Sequence, residues 1–202
     1  RGMYVWSLPF DDKISPRSIW IKKDIVLVLV EGNVLYCVRK TDGVPLWAIE
    51  LSDTPQFAPS VSPRMVYVFV RNKLTAIDRI AGQIVWTISP KFAPAAAPCV
   101  SEPNLYIPAW DKRVYAVEVR SRERVYLVGI DEAESLKSRE YYFRYSWHKT
   151  TRGHVVARPT LAEGFLYFGS EQGYVYSVSV DGEDRYRSQT QGPVRAPTSA
   201  RG

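Results

Sequence analysis

The stretch AIDRIAGQIVW, residues 76–86, has the pattern of two short strands joined by a tight turn. Ala76 and Asp78 occupy alternate positions of the first strand, as residues on one face of a pleated strand do. Gly82 supplies the turn, and Ile84 and Trp86 follow it at alternate positions of the second strand. The stretch therefore predicts a β-hairpin.

A related stretch, CVRKTDGVPLW, occupies residues 37–47, which indicates an internal repeat of about 40 residues. An aromatic residue marks the last strand of each candidate unit, and a proline marks the first strand. These landmarks are Trp6, Trp47, Trp86, Tyr126 and Tyr186 in the aromatic series, and Pro16, Pro59, Pro98, Pro159 and Pro197 in the proline series. Both series contain one longer gap, so we expect an insertion of about 20 residues between Tyr126 and Pro159.

Two further strands lie between the landmarks of each unit, with no helical periodicity between them. Four antiparallel strands per repeat predict an all-β fold of four β-propeller blades. We expect residues 1–202 to form a single propeller, closed alone or part of a larger ring. Trp6 would belong to the last strand of a preceding blade and Pro197 to the first strand of a following one. A β-sandwich with coincidental spacing is the alternative.

Composition excludes several classes of protein. The chain has 202 residues, a net charge of +6 and two cysteines, Cys37 and Cys99, which can build neither a disulfide scaffold nor a cysteine metal cluster. No apolar run approaches the roughly 20 residues of a membrane helix. The start, RGMYVWSLPF, lacks the features of a signal peptide, so we expect a fragment or a processed chain.

The repeat resembles the tryptophan-docking repeat of the quinoprotein-like (PQQ-like) β-propellers, which runs Ala-x-Asp-x-x-Thr-Gly-x-x-x-Trp. Residues 76–86 match it at four positions and depart from it at Ala81; residues 37–47 keep Thr41, Gly43 and Trp47. The later units match it weakly. In that family the tryptophan packs on the neighbouring blade near the glycine turn. The resemblance therefore implies a structural docking role for Trp6, Trp47, Trp86, Gly43 and Gly82.

The resemblance is closer to the outer-membrane-assembly lipoprotein propellers than to the quinone-dependent dehydrogenases. The dehydrogenases carry adjacent cysteines over the quinone, and Cys37 and Cys99 are far apart in this sequence. We therefore expect a non-enzymatic protein–protein interaction scaffold without cofactor, possibly in a bacterial periplasm or cell envelope, although a cytoplasmic location stays open. The alternatives are a dehydrogenase fragment and a ligand-sensing propeller that binds a small molecule in its channel.

The remaining polar residues predict neither a catalytic nor a metal site. His148 and His154 have a spacing that suits no common metal pair. The acidic pairs Asp11–Asp12 and Asp131–Glu132 are adjacent loop residues, which are usually solvated. We assign Cys37 and Cys99 to different layers of their units and expect no disulfide between them.

The insertion, residues 129–153, would join the third blade to the fourth. Its first half, DEAESLKSRE, is compatible with a helix, and its second half, YYFRYSWHK, interleaves aromatic and basic residues. Such residues are enriched at binding hot spots. We predict that they contact a protein partner or a neighbouring copy of the chain, rather than nucleic acid; the alternative is that they cover a blade edge. The predicted partner-binding residues are Tyr141, Tyr142, Phe143, Arg144, Tyr145 and Trp147.

Overall fold

The computed structural model describes residues 5–10, 13–128 and 134–196. Helices are absent from these residues, and their strands form four sheets of four antiparallel strands each. In every sheet the strands pair in chain order, so that each sheet is a meander. The sheets are β-propeller blades, and the predicted fold class is confirmed.

The chain divides into two compact units, and the first, Arg1–Ser89, contains two blades. The first blade consists of β1 (Ile14–Lys22), β2 (Ile25–Val30), β3 (Val34–Arg39) and β4 (Pro45–Glu50). The second blade consists of β5 (Ser60–Val61), β6 (Met65–Val70), β7 (Lys73–Asp78) and β8 (Ile84–Ile88).

The second unit, Pro90–Gly202, contains the other two blades. The third blade consists of β9 (Cys99–Ser101), β10 (Asn104–Ala109), β11 (Arg113–Val128) and β12 (Glu134–Thr150). The fourth blade consists of β13 (Thr160–Ala162), β14 (Phe165–Ser170), β15 (Tyr174–Ser179) and β16 (Asp184–Gln189).

The second strand of a blade is its most buried element. All six residues of β2 are buried, as are five of the six in β6 and in β10. These strands read as continuous apolar runs because both of their faces are packed. By contrast, every residue of β16 is exposed, since the fourth strand is the outer edge of its blade.

Each fourth strand carries a β-bulge next to an aromatic residue. The aromatic residue pairs with a small buried residue on the third strand, and the register shifts directly afterwards. The four pairs are Cys37 with Trp47, Ala76 with Trp86, Ala116 with Trp147, and Ser177 with Tyr186. A small partner leaves room for the ring, and the bulge re-aims the side chain at that point of the edge strand.

The structure corrects the predicted position of the insertion. Tyr126 does not end a fourth strand, because it lies in β11 and pairs with Leu136 of β12. The extra residues therefore lengthen the hairpin between the third and fourth strands of the third blade. Residues 134–140, part of the stretch that is compatible with a helix, form no helix, because their backbone groups pair with β11.

Two predictions concern the ends of the chain. Residues 5–10 form no strand, because no strand in the described part of the chain pairs with them. The strand expected at Pro197, like the pairs Asp11–Asp12 and Asp131–Glu132, lies outside the described residues. Within the described ranges, no helix has the length and apolar character needed to cross a membrane.

Candidate partner-binding hairpin

Trp47 docks on the turn that joins β7 to β8. Its indole Nε1–H donates a hydrogen bond of 2.8 Å to the carbonyl oxygen of Arg79. The indole lies so close to Gly82 that a Cβ at this position would be 2.5 Å from Cγ of Trp47. Gly82 also has φ of +68°, a conformation that glycine adopts without steric cost. The contact requires a residue without a side chain, and the turn favours glycine.

Trp6 forms the same joint with the turn between β3 and β4. Its Nε1–H donates a hydrogen bond of 2.9 Å to the carbonyl oxygen of Lys40. A Cβ on Gly43 would lie 2.6 Å from the six-membered ring of Trp6. Trp86, the third predicted docking residue, is 7% exposed, and its ring centroid lies 5.8 Å from that of Tyr67.

Trp147 forms this joint in the second unit, although the sequence pattern placed it among the partner-binding residues. Its Nε1–H donates a hydrogen bond of 2.9 Å to the carbonyl oxygen of Val180. A Cβ on Gly182 would lie 2.8 Å from Cγ of Trp147. Trp147 therefore holds the third and fourth blades together, with its ring half-buried in the joint.

Sequence reasoning missed this joint because Tyr126 stands at the expected distance from Trp86. A second spacing identifies the correct residue. Gly82 follows Trp47 by 35 residues, and Gly182 follows Trp147 by the same 35 residues. The corresponding distance from Trp6 to Gly43 is 37 residues, so the spacing varies little, and the long hairpin, which precedes Trp147, does not change it.

Asp78 explains why the repeat favours an aspartate four residues before its glycine. Its Oδ1 accepts hydrogen bonds from the backbone N–H groups of Ile80 (2.9 Å) and Ala81 (2.7 Å). These bonds hold the pKa of the Asp78 carboxyl below its usual range. The carboxylate therefore fixes the turn on which Trp47 docks.

The β11–β12 hairpin is the element that sets the third blade apart. Only residues 113–118 of β11 pair with β10, whereas pairing with β12 continues to Val128. Beyond Glu118 the hairpin is a two-stranded ribbon, about 30 Å long at roughly 3.3 Å per residue. We call this part, residues 119–143 as far as they are described, the hairpin extension.

One face of the hairpin extension is charged, and this face includes the cross-strand pair just before the extension, Glu118 with Arg144. Cross-strand pairs place Glu118 opposite Arg144, Arg120 opposite Tyr142, and Arg122 opposite Glu140. Arg124 follows on the same face, because residues two apart in a strand point to the same side. We call these residues the arginine face: Glu118, Arg120, Arg122, Arg124, Glu140, Tyr142 and Arg144.

The other predicted partner-binding residues are less accessible. Phe143 is 8% exposed, and Tyr141 is half-buried. The hydroxyl of Tyr145 accepts a hydrogen bond of 2.9 Å from the backbone N–H of Lys91. Of the six predicted residues, Tyr142, at 41% exposed, and Arg144 are the exposed ones.

An aromatic cluster supports the base of the hairpin. Phe92 stacks on Tyr115 with ring centroids 4.1 Å apart, and Tyr145 meets both rings edge-on at 6.2 Å. His148 lies exposed on β12, 5.7 Å from the Tyr115 ring. Edge-to-face and offset-stacked arrangements of this kind stabilise aromatic clusters. The cluster anchors the hairpin to the segment that enters the third blade.

The acidic, histidine and cysteine residues of the described part of the chain form no group of three or more that could hold a metal ion. His154, the second histidine, makes an edge contact of 5.3 Å with the Trp110 ring. Cys37 and Cys99 are free and buried. Burial raises the pKa of the Cys37 thiol to about 11 and also raises that of Cys99, so neither is activated as a thiolate.

The meander blades and the indole–glycine joints define a β-propeller of the PQQ-like class. A family model described as outer membrane protein assembly factor BamB matches residues 1–199. The chain belongs to this family. Among curated proteins, a sequence comparison finds no match.

A search of solved structures finds similar chains at low sequence identity. BamB from Moraxella catarrhalis is 16% identical with a TM-score of 0.49, over 97% of this chain and 67% of that one. The quinohemoprotein alcohol dehydrogenase ADHIIG from Pseudomonas putida HK5 is 14% identical with a TM-score of 0.55, over 87% of this chain and 34% of that one. BBS1N, solved in complex with ARL6DN, is 15% identical with a TM-score of 0.65, over 97% of this chain and 60% of that one. At these identities the last two likenesses show the fold alone.

Proposed function

We propose that this protein is a non-enzymatic protein–protein interaction scaffold of a bacterial cell envelope, located in the periplasm. Membership of the BamB family supports a role in assembly, since the family description names an assembly factor. BBS1N, a structural neighbour, was solved with a protein partner, ARL6DN. That neighbour is an example of a propeller of this kind in a protein complex.

The observation that carries the proposal is the hairpin extension. Its base is fixed by the Trp147 joint and by the aromatic cluster, and beyond β10 its two strands pair with each other. A rigid base that presents a variable element is a common arrangement for recognition. The exposed Tyr142 and Arg144 are of the residue types that dominate binding hot spots. We propose that this hairpin is the partner-binding element.

Site-specific photo-crosslinking in cells tests this proposal. A photo-reactive phenylalanine analogue replaces Tyr142 in one variant and Tyr186 in the control. Both tyrosines lie in the second unit and are similarly exposed, at 41% and 49%. We expect a discrete crosslinked protein, identified by mass spectrometry as an envelope protein, at position 142 and not at 186. No crosslink at position 142, or the same product at both positions, would contradict the proposal.

The dehydrogenase alternative predicts a different result. A quinone enzyme retains its cofactor after purification and dialysis. We therefore expect that the purified protein, incubated with pyrroloquinoline quinone and Ca²⁺ and then dialysed, shows no quinone absorbance. Retention of one quinone per chain would contradict the non-enzymatic part of the proposal.

A further inference from the structure

We propose that the arginine face binds an acidic segment of the partner protein, held in extended conformation along the hairpin. This inference rests on the proposed function, because it names the chemistry of the partner for the same hairpin. It is carried by the positions of four arginines, two glutamates and one tyrosine on one side of the ribbon.

The ion pairs of the arginine face leave it with excess positive charge. Glu118 is shared by Arg120 at 2.8 Å and Arg144 at 3.6 Å. Glu140 is likewise shared by Arg122 at 2.7 Å and Arg124 at 2.5 Å. Each carboxylate thus serves two guanidinium groups, and the four arginines exceed the two glutamates. A partner that supplies further carboxylates would balance this charge.

The guanidinium groups retain access to solvent and to a partner. The side chains of Arg122 and Arg144 are 56% and 64% exposed, whereas that of Glu118 is only 17% exposed. A guanidinium carries five N–H donors in a planar fork and can engage a second carboxylate while it holds the first. The two glutamates therefore hold the arginines in place for a second anionic group.

The spacing of the arginines fits an extended peptide. Arg120, Arg122 and Arg124 alternate along β11, which separates neighbours by roughly 6.6 Å at about 3.3 Å per residue. Carboxylates at every second position of an extended segment repeat at the same interval. Tyr142 lies between the two shared carboxylates, with Arg122 5.7 Å from its ring centroid, and offers an apolar contact midway along the face.

The two glutamates favour a protein segment over a polyanionic surface. Glu118 and Glu140 stand within the arginine face and would repel the closely spaced phosphates of a lipid surface or of nucleic acid. An acidic peptide can place its carboxylates over the arginines and neutral residues over the glutamates. The three arginines of β11 form an uninterrupted row, with one glutamate beyond its end and the other on β12, so an extended peptide can align its carboxylates with that row.

Binding of a labelled peptide to the full chain tests the inference. The probe is a fluorescein-labelled 12-residue peptide that alternates Glu with Ser, and its control carries Gln in place of every Glu. Anisotropy is measured in 0.05 M and 0.15 M NaCl. We expect the Glu peptide alone to bind, with weaker binding at the higher salt because exposed charges are screened.

The decisive variant is the double substitution Arg122→Glu with Arg144→Glu. Its matched control is Arg71→Glu with Arg195→Glu, which changes the net charge equally at two exposed, ion-paired arginines outside the hairpin, 67% and 69% exposed. We expect the hairpin variant to lose affinity by about tenfold or more and the control to retain it. We also expect the hairpin variant to bind a peptide with Lys in place of Glu.

Three results would overturn the inference. Equal losses in the two double variants would mean that the peptide responds to net charge alone. Binding of phosphatidylglycerol vesicles that exceeds peptide binding, and that only the hairpin variant loses, would assign the face to a membrane. A crosslink at position 142 without Glu-peptide binding would refute the acidic chemistry while leaving the proposed function intact.

Discussion

The β7–β8 hairpin of the second blade and the β11–β12 hairpin of the third blade have the same kind of base but differ in length. In the second, Ala76 pairs with Trp86, a bulge follows, and the chain turns at Gly82. In the third, Ala116 pairs with Trp147 across the same kind of bulge, but the strands continue to Val128 before the chain returns. The first hairpin presents a turn on which a neighbouring tryptophan docks, whereas the second presents a charged ribbon.

This difference separates two roles within one element. Each hairpin contains a tryptophan paired with a small residue, Trp86 with Ala76 and Trp147 with Ala116. This pair is therefore present both in the short β7–β8 hairpin and in the long β11–β12 hairpin. The added residues lie beyond the last pair with β10, at Glu118. The extension can therefore acquire its own surface chemistry without disturbing the joint.

The largest effect is expected where a docking tryptophan is removed. Trp47→Ala and Trp147→Ala each remove a ring from a joint and leave a backbone carbonyl without its indole donor. We expect each to lower the free energy of unfolding by about 3 kcal/mol, measured by urea denaturation. The control is Trp110→Ala, since that ring is 50% exposed. If Trp147→Ala cost no more than this control, the two hairpins would not share a joint.

Much of the fold was predictable because its signals are local. The turn at Gly82, the alternation of β7 and the aromatic residue of β8, Trp86, lie close together in the sequence. The limits of the third blade were not predictable in this way. Whether residues 119–128 end a blade or extend a hairpin depends on their pairing with residues 134–143, a long-range contact that local pattern does not encode.

The candidate site was predictable only in part. The sequence singled out Tyr142 and Arg144, which are exposed, together with Phe143 and Trp147, which serve packing and docking. Composition does not distinguish these roles, because alternate residues of a strand face opposite sides. The arginine face itself was missed, since four of its seven residues lie on β11, and only the strand register brings Arg122 opposite Glu140.

A smaller effect is expected at the glycine of the joint. Gly82→Ala places a Cβ 2.5 Å from Trp47 Cγ, at φ of +68°. Gly32→Ala is the matched control, because Gly32 has φ of +83° but no atom within 4 Å of the added Cβ. We expect the control to cost about 1–2 kcal/mol from backbone strain alone and Gly82→Ala to cost more. If Gly82→Ala and Gly32→Ala lowered stability equally in thermal denaturation, the contact between position 82 and the Trp47 indole would have room for a Cβ.

The Asp78 carboxylate should make a smaller, pH-dependent contribution to the stability of the fold. The folded-state pKa of Asp78 is lowered, so its stabilising effect is complete above the unfolded pKa of about 4 and is lost as the pH falls through the folded value. We expect Asp78→Ala to lower the melting temperature at pH 7 and to match the parent protein at a pH below the folded pKa. A difference that persists unchanged at that acidic pH would assign the effect to packing instead of charge.

Shortening the long hairpin tests the division of roles most directly. Arg120 and Tyr142 are register partners, so residues 121–141 can be replaced by Asn-Gly, which closes a two-residue hairpin turn. We predict that the shortened protein folds with an unchanged melting temperature and gives no crosslink from residues that remain near the new turn. A fall of several degrees in the melting temperature would contradict the account, because the hairpin extension would then be part of the packed blade.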